Sequence, residues 1–120
     1  MKGLALPLLA AGLAFGAVVL ATDGGDGRQA GDSQLAAHPA GREVFERLGC
    51  GSCHHLSAAG SSGQIGPDLD LKLPDHTSAS LTAKILAPGR SSMMPQDFGP
   101  RTSDAELRAL VRFLLAASPS

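Results

Sequence analysis

At 120 residues the chain is one domain at most, and a formal charge of −1, from 10 basic and 11 acidic side chains, excludes the basic field that nucleic-acid binding needs. Hydrophobic residues make up 43%, but much of that lies ahead of Thr22. With no Trp and no Tyr, the part that folds has little aromatic material for a core.

Residues 1–21, MKGLALPLLAAGLAFGAVVLA, place Lys2 ahead of an uncharged run. A basic start, an apolar stretch and the small-residue ending Val19-Leu20-Ala21 suit a signal peptide. The same run, as a helix at about 1.5 Å per residue, reaches roughly 28 Å, nearly enough to cross a bilayer. As a signal or as a membrane anchor, this hydrophobic helix predicts an exported chain, periplasmic or on the outer face of the cytoplasmic membrane. In the second case residues 3–21 are a membrane tether. Residues 22–38 are rich in Gly, Asp and Ala and have no apolar period, the composition of a flexible linker.

The domain is expected over residues 39–120. HPAGREVFERLGC predicts a first helix, with Pro39 in its first turn and Val44, Phe45 and Leu48 on one side. TSASLTAKILAPG predicts a second, capped by Thr77 or Ser78, with Leu81 and Ile85 four apart and Pro88-Gly89 as the stop. The last is the clearest: Ser103 and Glu106 form a capping-box pattern, and Leu107, Leu110, Val111 and Leu114 follow the helical period. No stretch alternates as a strand, and residues 60–77 read as mostly loop, so the class is all-α with long loops. A domain this small rarely builds an adequate core without a disulfide, a metal or another staple.

The two cysteines stand in Cys50-Gly51-Ser52-Cys53-His54. C-x-x-C-H is the pattern of c-type haem attachment, in which both thiols add to porphyrin vinyl groups and the histidine ligates iron. On a helical turn positions i and i+3 point the same way, so Cys50 and Cys53 can reach one porphyrin edge. A covalent haem would also supply the missing core. A small-loop disulfide, a redox dithiol and half of a zinc site are the alternatives. The dithiol wants a βαβ context, zinc wants a second ligand pair, and a disulfide leaves the weak core unexplained.

Two methionines, Met93 and Met94, fall in a Pro-rich loop outside any apolar stripe. A thioether opposite histidine favours reduced iron and raises the potential. Met94 precedes Pro95, which biases its backbone to an extended form. His76 is the rival sixth ligand, and His55, next to the ligand histidine, is expected to face solvent.

Gly41 and Phe45 in a leading helix, the Cys50 to His54 motif, Gly66-Pro67-Asp68-Leu69, Met94-Pro95 and a closing helix with Phe113 together resemble the class I c-type cytochromes. The resemblance runs from about Gly41 to Ala117. It implies three or more helices and loops wrapped around one covalently bound haem c, held through Cys50 and Cys53. It implies His54 as proximal axial ligand, Met94 rather than Met93 as distal ligand, and the Pro67 carbonyl as hydrogen-bond partner of His54. It gives Gly41, Phe45, Leu110 and Phe113 a role in the crossing of the first and last helices. The family often uses Trp or Tyr to bind a haem propionate; this chain has neither, and Arg90, Arg101 and Lys72 are the candidates to substitute, each reading first as a solvated surface charge.

The expected function is monohaem electron transport, without catalysis by the chain itself, between redox partner proteins such as an oxidase, reductase or dehydrogenase. The alternative is a haem protein with an open or labile sixth site, acting as a ligand sensor or a peroxidase-like enzyme.

Overall fold

The computed structural model describes residues 38–118. The hydrophobic segment and nearly all of the linker expected from the sequence lie outside the described residues. Five α-helices follow in order: α1 (Pro39–Arg47), α2 (Leu69–Lys72), α3 (Ser78–Leu86), α4 (Phe98–Arg101) and α5 (Asp104–Ala117). Among the described residues no helix is long and apolar enough to cross a membrane.

The three helices expected from periodicity form where their start signals place them, a proline for the first and capping boxes for the other two. Pro39 opens α1, where its missing N–H is no loss. Thr77 caps α3 by accepting from the Ser80 amide, and Ser80 returns the bond to the Thr77 amide. Ser103 and Glu106 make the same reciprocal pair at the start of α5. Donation from the Ser103 amide is the main cause holding the Glu106 carboxyl below the usual glutamate range.

Two features depart from the sequence reading. Residues 60–77 are not mostly loop: α2 starts at Asp68, whose side chain accepts from the Asp70 amide at 2.9 Å, and a 3₁₀ turn at Leu73–Asp75 continues it. That short helix has too few residues to show a period. The all-α class also acquires one small antiparallel pair, β1 (His55–Leu56) with β2 (Ser61–Ser62), in the register His55 to Ser62 and Leu56 to Ser61. Two residues per strand cannot display alternation, so the pair is invisible to pattern reading.

The core lies where α1 crosses α5. A Cβ built on Gly41 would meet the Ala109 carbonyl oxygen and, at 2.5 Å, the Phe113 Cβ, so only glycine lets the two backbones approach. One turn on, Phe45 and Phe113 meet edge to face with ring centroids 5.9 Å apart. Such a pair contributes roughly 1 kcal/mol beyond its buried area. Val44, Leu110 and Leu114 close the seam, and Leu81 and Ile85 of α3 and Phe98 of α4 extend the cluster toward the cysteines.

Candidate functional site

Helix α1 ends at Leu48, and Gly49 takes a left-handed conformation (φ 74°) that turns the chain into a 3₁₀ turn at Cys50–Ser52. The amides of Cys53 and His54 both donate to the Cys50 carbonyl, at 3.2 and 3.0 Å. This tight turn brings Cys50, Cys53 and His54 onto one wall of a cavity. Neither thiol is in a disulfide. Burial pushes the Cys50 thiol up to about 11, against smaller opposing effects of its backbone amide and Arg101. It is therefore a neutral thiol at physiological pH, set against an apolar surface.

His54 is oriented from the far side of a loop. Its Nδ1 lies 2.7 Å from the Pro67 carbonyl oxygen. A carbonyl only accepts, so Nδ1 carries the hydrogen and Nε2 keeps the ring's lone pair. The Gly66 amide donates to the Cys53 carbonyl at 2.7 Å, which clips the two segments together one residue earlier. A Cβ at Gly66 would lie 2.5 Å from His54 Cε1 and 2.8 Å from Nδ1, so the ring rests directly on glycine backbone. Ser61 adds a third tie by donating to the His54 carbonyl at 3.0 Å.

The next residue corrects the sequence reading. His55 does not simply face solvent: it is half-buried, with Nδ1 3.2 Å from Asp68 Oδ1 and 3.6 Å from Asp70 Oδ2. Donation from His55 is the main cause holding the Asp68 carboxyl below the usual aspartate range. Asp70 in turn accepts from the amide and the hydroxyl of Ser57. Nothing local in the sequence marks these pairs, since the partners are thirteen residues apart.

The loop that carries the methionines also borders the cavity. Both Met93 and Met94 line the cavity, but Met93 is 83% exposed whereas Met94 is half-buried and packs on the core. The Met94 amide donates to Ser92 Oγ at 3.1 Å. Gln96, which sequence reasoning passed over, donates through Nε2 to the carbonyls of Gly89 (2.9 Å) and Met94 (3.1 Å), closing the loop on itself. His76 also reaches the cavity lining, with Nδ1 3.0 Å from Ser80 Oγ. Of the three cations expected near a propionate, Lys72 lines the cavity. Arg101 instead sits over the Phe98 ring, 5.7 Å from its centroid, beside Asp97, and Arg90 is exposed away from the lining.

The cavity holds about 590 Å³ and is walled mainly by the apolar side chains of the core. Its volume falls in the range of small-molecule sites, roughly 300 to 1,000 Å³. Among the described residues no carboxylate lines it, and its charged side chains are Lys72 and Lys84. An apolar slot with two thiols and an imidazole on one wall, a thioether on the lining and only cations at its border fits a flat apolar macrocycle bearing two carboxylates.

A family model described as cytochrome c oxidase, cbb3-type, subunit III matches residues 36–114. The chain belongs to that family. It is a class I c-type cytochrome, a kind of domain that implies haem c binding. Over 75 residues the cytochrome is also 34% identical to lupanine 17-hydroxylase [cytochrome c] of a Pseudomonas species, a match that covers 62% of this chain. It spans only 10% of that much longer protein. No solved structure matches the chain significantly.

Proposed function

We propose that the chain is a monohaem electron carrier that shuttles single electrons between redox partner proteins, such as an oxidase, reductase or dehydrogenase of a respiratory or related chain. The observation that carries this reading is the single apolar cavity wall on which Cys50, Cys53 and the oriented ring of His54 stand together, with Met94 on the same lining. Haem c, when bound, supplies a one-electron iron couple.

The residues divide the work. Cys50 and Cys53 anchor the group by thioether bonds. His54 offers Nε2 to iron while its Nδ1–H is held by Pro67, which raises the basicity of the ring. Met94, half-buried on a loop of the same lining, would offer its sulfur to the metal and favour the reduced form. Lys72 and Lys84 are the cations available to the propionates. Were His54 and Met94 both to hold the iron, its surroundings would change little between oxidation states, and the apolar lining would keep water away. A carrier also fits the relatives, since a domain of this kind recurs within a protein named as a hydroxylase. The uncharged run at residues 3–21 supports export, to the periplasm or the outer face of the cytoplasmic membrane, as a cleaved signal or a retained tether.

The test is optical spectroscopy of the purified haem-loaded chain in both redox states, with Met94→Ala, Met93→Ala and His76→Ala in parallel. The expected outcome is a weak Met-to-iron band toward the red end, lost only in Met94→Ala, which alone then binds carbon monoxide when reduced. A wild type that lacks the band and binds carbon monoxide overturns the carrier reading in favour of a sensor or peroxidase-like protein. Opening of the iron in His76→Ala alone would make His76 the sixth ligand.

A further inference from the structure

Two consecutive residues on one segment meet two consecutive residues on another. His54 Nδ1 bonds to the Pro67 carbonyl at 2.7 Å, and His55 Nδ1 bonds to Asp68 Oδ1 at 3.2 Å. We propose that His55, acting through Asp68 and Asp70, is the positioning residue for the bond between His54 and Pro67, and that it thereby sets the reduction potential of the haem. The proposal rests on the reading above that His54 ligates iron through Nε2.

The argument starts from Pro67, which has no N–H with which to fix itself and is exposed. Its carbonyl can hold His54 only if the segment behind it is held. Asp68 supplies that hold from both directions. Toward α2 its side chain accepts from the Asp70 amide at 2.9 Å and starts the helix. Toward β1 the same oxygen accepts from His55. The first turn of α2 is tied back again by Asp70, which accepts from the Ser57 amide at 3.1 Å and from the Ser57 hydroxyl.

The other side of the ladder is equally fixed. His55 lies in β1, paired with Ser62, and the neighbouring Leu56 is completely buried. The His55 ring thus projects from a backbone that cannot follow Asp68 if α2 drifts. The ligand atoms of His55, Asp68 and Asp70 lie within 4.8 Å of one another, close enough to enclose a cation. Yet both Asp70 oxygens already accept from Ser57, and Asp68 Oδ1 accepts from the Asp70 amide. The cluster is therefore spent on joining two segments rather than left open for a metal.

A shorter, straighter bond from Nδ1–H to the carbonyl gives His54 more anionic character, which stabilises the oxidised metal. Loosening the ladder therefore raises the potential. The sign separates this role from simple electrostatics: deleting a positively charged side chain near the metal lowers the potential, and deleting a neutral one leaves it unchanged.

The experiment measures reduction potential and, by NMR of the reduced haem-loaded chain, solvent exchange of the His54 Nδ1–H in His55→Ala, His55→Asn and His55→Gln. In His55→Ala the potential is expected to rise, and exchange to accelerate roughly tenfold, as for the loss of the stabilisation of one hydrogen bond. His55→Asn, whose amide nitrogen sits near the place of Nδ1, is expected to restore both; His55→Gln, with a longer reach, is expected to resemble the alanine variant. If His55→Ala does not retain its fold, the contrast between the asparagine and glutamine variants carries the same test. A potential that falls or stays, with unchanged exchange, overturns the positioning role while leaving His54 as ligand. A wild type without covalently held haem instead overturns the functional reading on which the proposal rests.

Discussion

The two walls of the cavity are built in different ways. The wall that carries Cys50, Cys53 and His54 is cross-linked over residues 53–70 by bonds between segments: Gly66 to Cys53, His54 to Pro67, His55 to Asp68 and Ser57 to Asp70. The wall that carries Met94 is a loop bonded mainly to itself, through Ser92 and the side-chain amide of Gln96. The first wall has its geometry before any ligand bond forms, because moving one residue breaks contacts on two segments. The second is bonded within residues 89–96 alone, through bonds each worth about 1 kcal/mol or less, with no tie to a second segment among these bonds. One part of the cavity lining is thus preset and the other adjustable, which on the proposed ligation places the control of ligand loss on the methionine loop.

The strongest way to break this contrast is Gly66→Ala. Its new Cβ would stand 2.5 Å from the His54 ring, and overpacking of this kind costs about 1 to 3 kcal/mol. Thermal unfolding of the haem-loaded chain should show that loss, together with a changed reduced spectrum as the ring is pushed from Pro67. A smaller effect on the opposite wall is expected from Gln96→Ala, which removes two exposed bonds. Carbon monoxide binding to the reduced chain, followed by stopped flow, should quicken about fivefold, as for a loop destabilised by about 1 kcal/mol, while covalent haem content stays at the wild-type level.

Acid supplies a subtler probe, because carboxylates stand behind the cavity within residues 53–70 and none within residues 89–96. Asp68 has its carboxyl held low chiefly by the bond from His55. A pKa lower in the folded chain than in the unfolded one means that the stabilisation is complete above the unfolded value and is lost as pH falls through the folded value. Amide protection over residues 53–70 should therefore decline in that acidic window, while protection over residues 89–96, held by a hydroxyl and an amide, should not follow it. Equal decline in both segments, measured as protection factors, would refute the contrast.

How legible each wall was in the sequence follows the same division. The Cys50 to His54 motif is local: its spacing alone brings the side chains together on one turn, and the same holds for the caps at Thr77 and Ser103. Met94 was singled out by its neighbour Pro95 and by falling outside an apolar stripe, both local signs, and the structure separates it from Met93 by burial. His55 was misread because its partners come from a loop and a four-residue helix with no periodic signature of its own. Gln96 was missed because a lone amide in a loop has no pattern at all.

The order of residues by itself determined the attachment motif, the first helix with its leading proline, the two capped helices and the family to which the chain belongs, since each depends on neighbours within one or two turns or on motifs in a fixed order. Tertiary structure alone decided which side of the cavity is rigid. The ties of His55 to Asp68, Ser57 to Asp70 and Gly66 to Cys53 join positions thirteen apart through an irregular loop, and such contacts have no local spacing to announce them. They exist because burying Leu56 and Leu73 brings β1 and α2 together, and the polar groups left beside that contact must find one another.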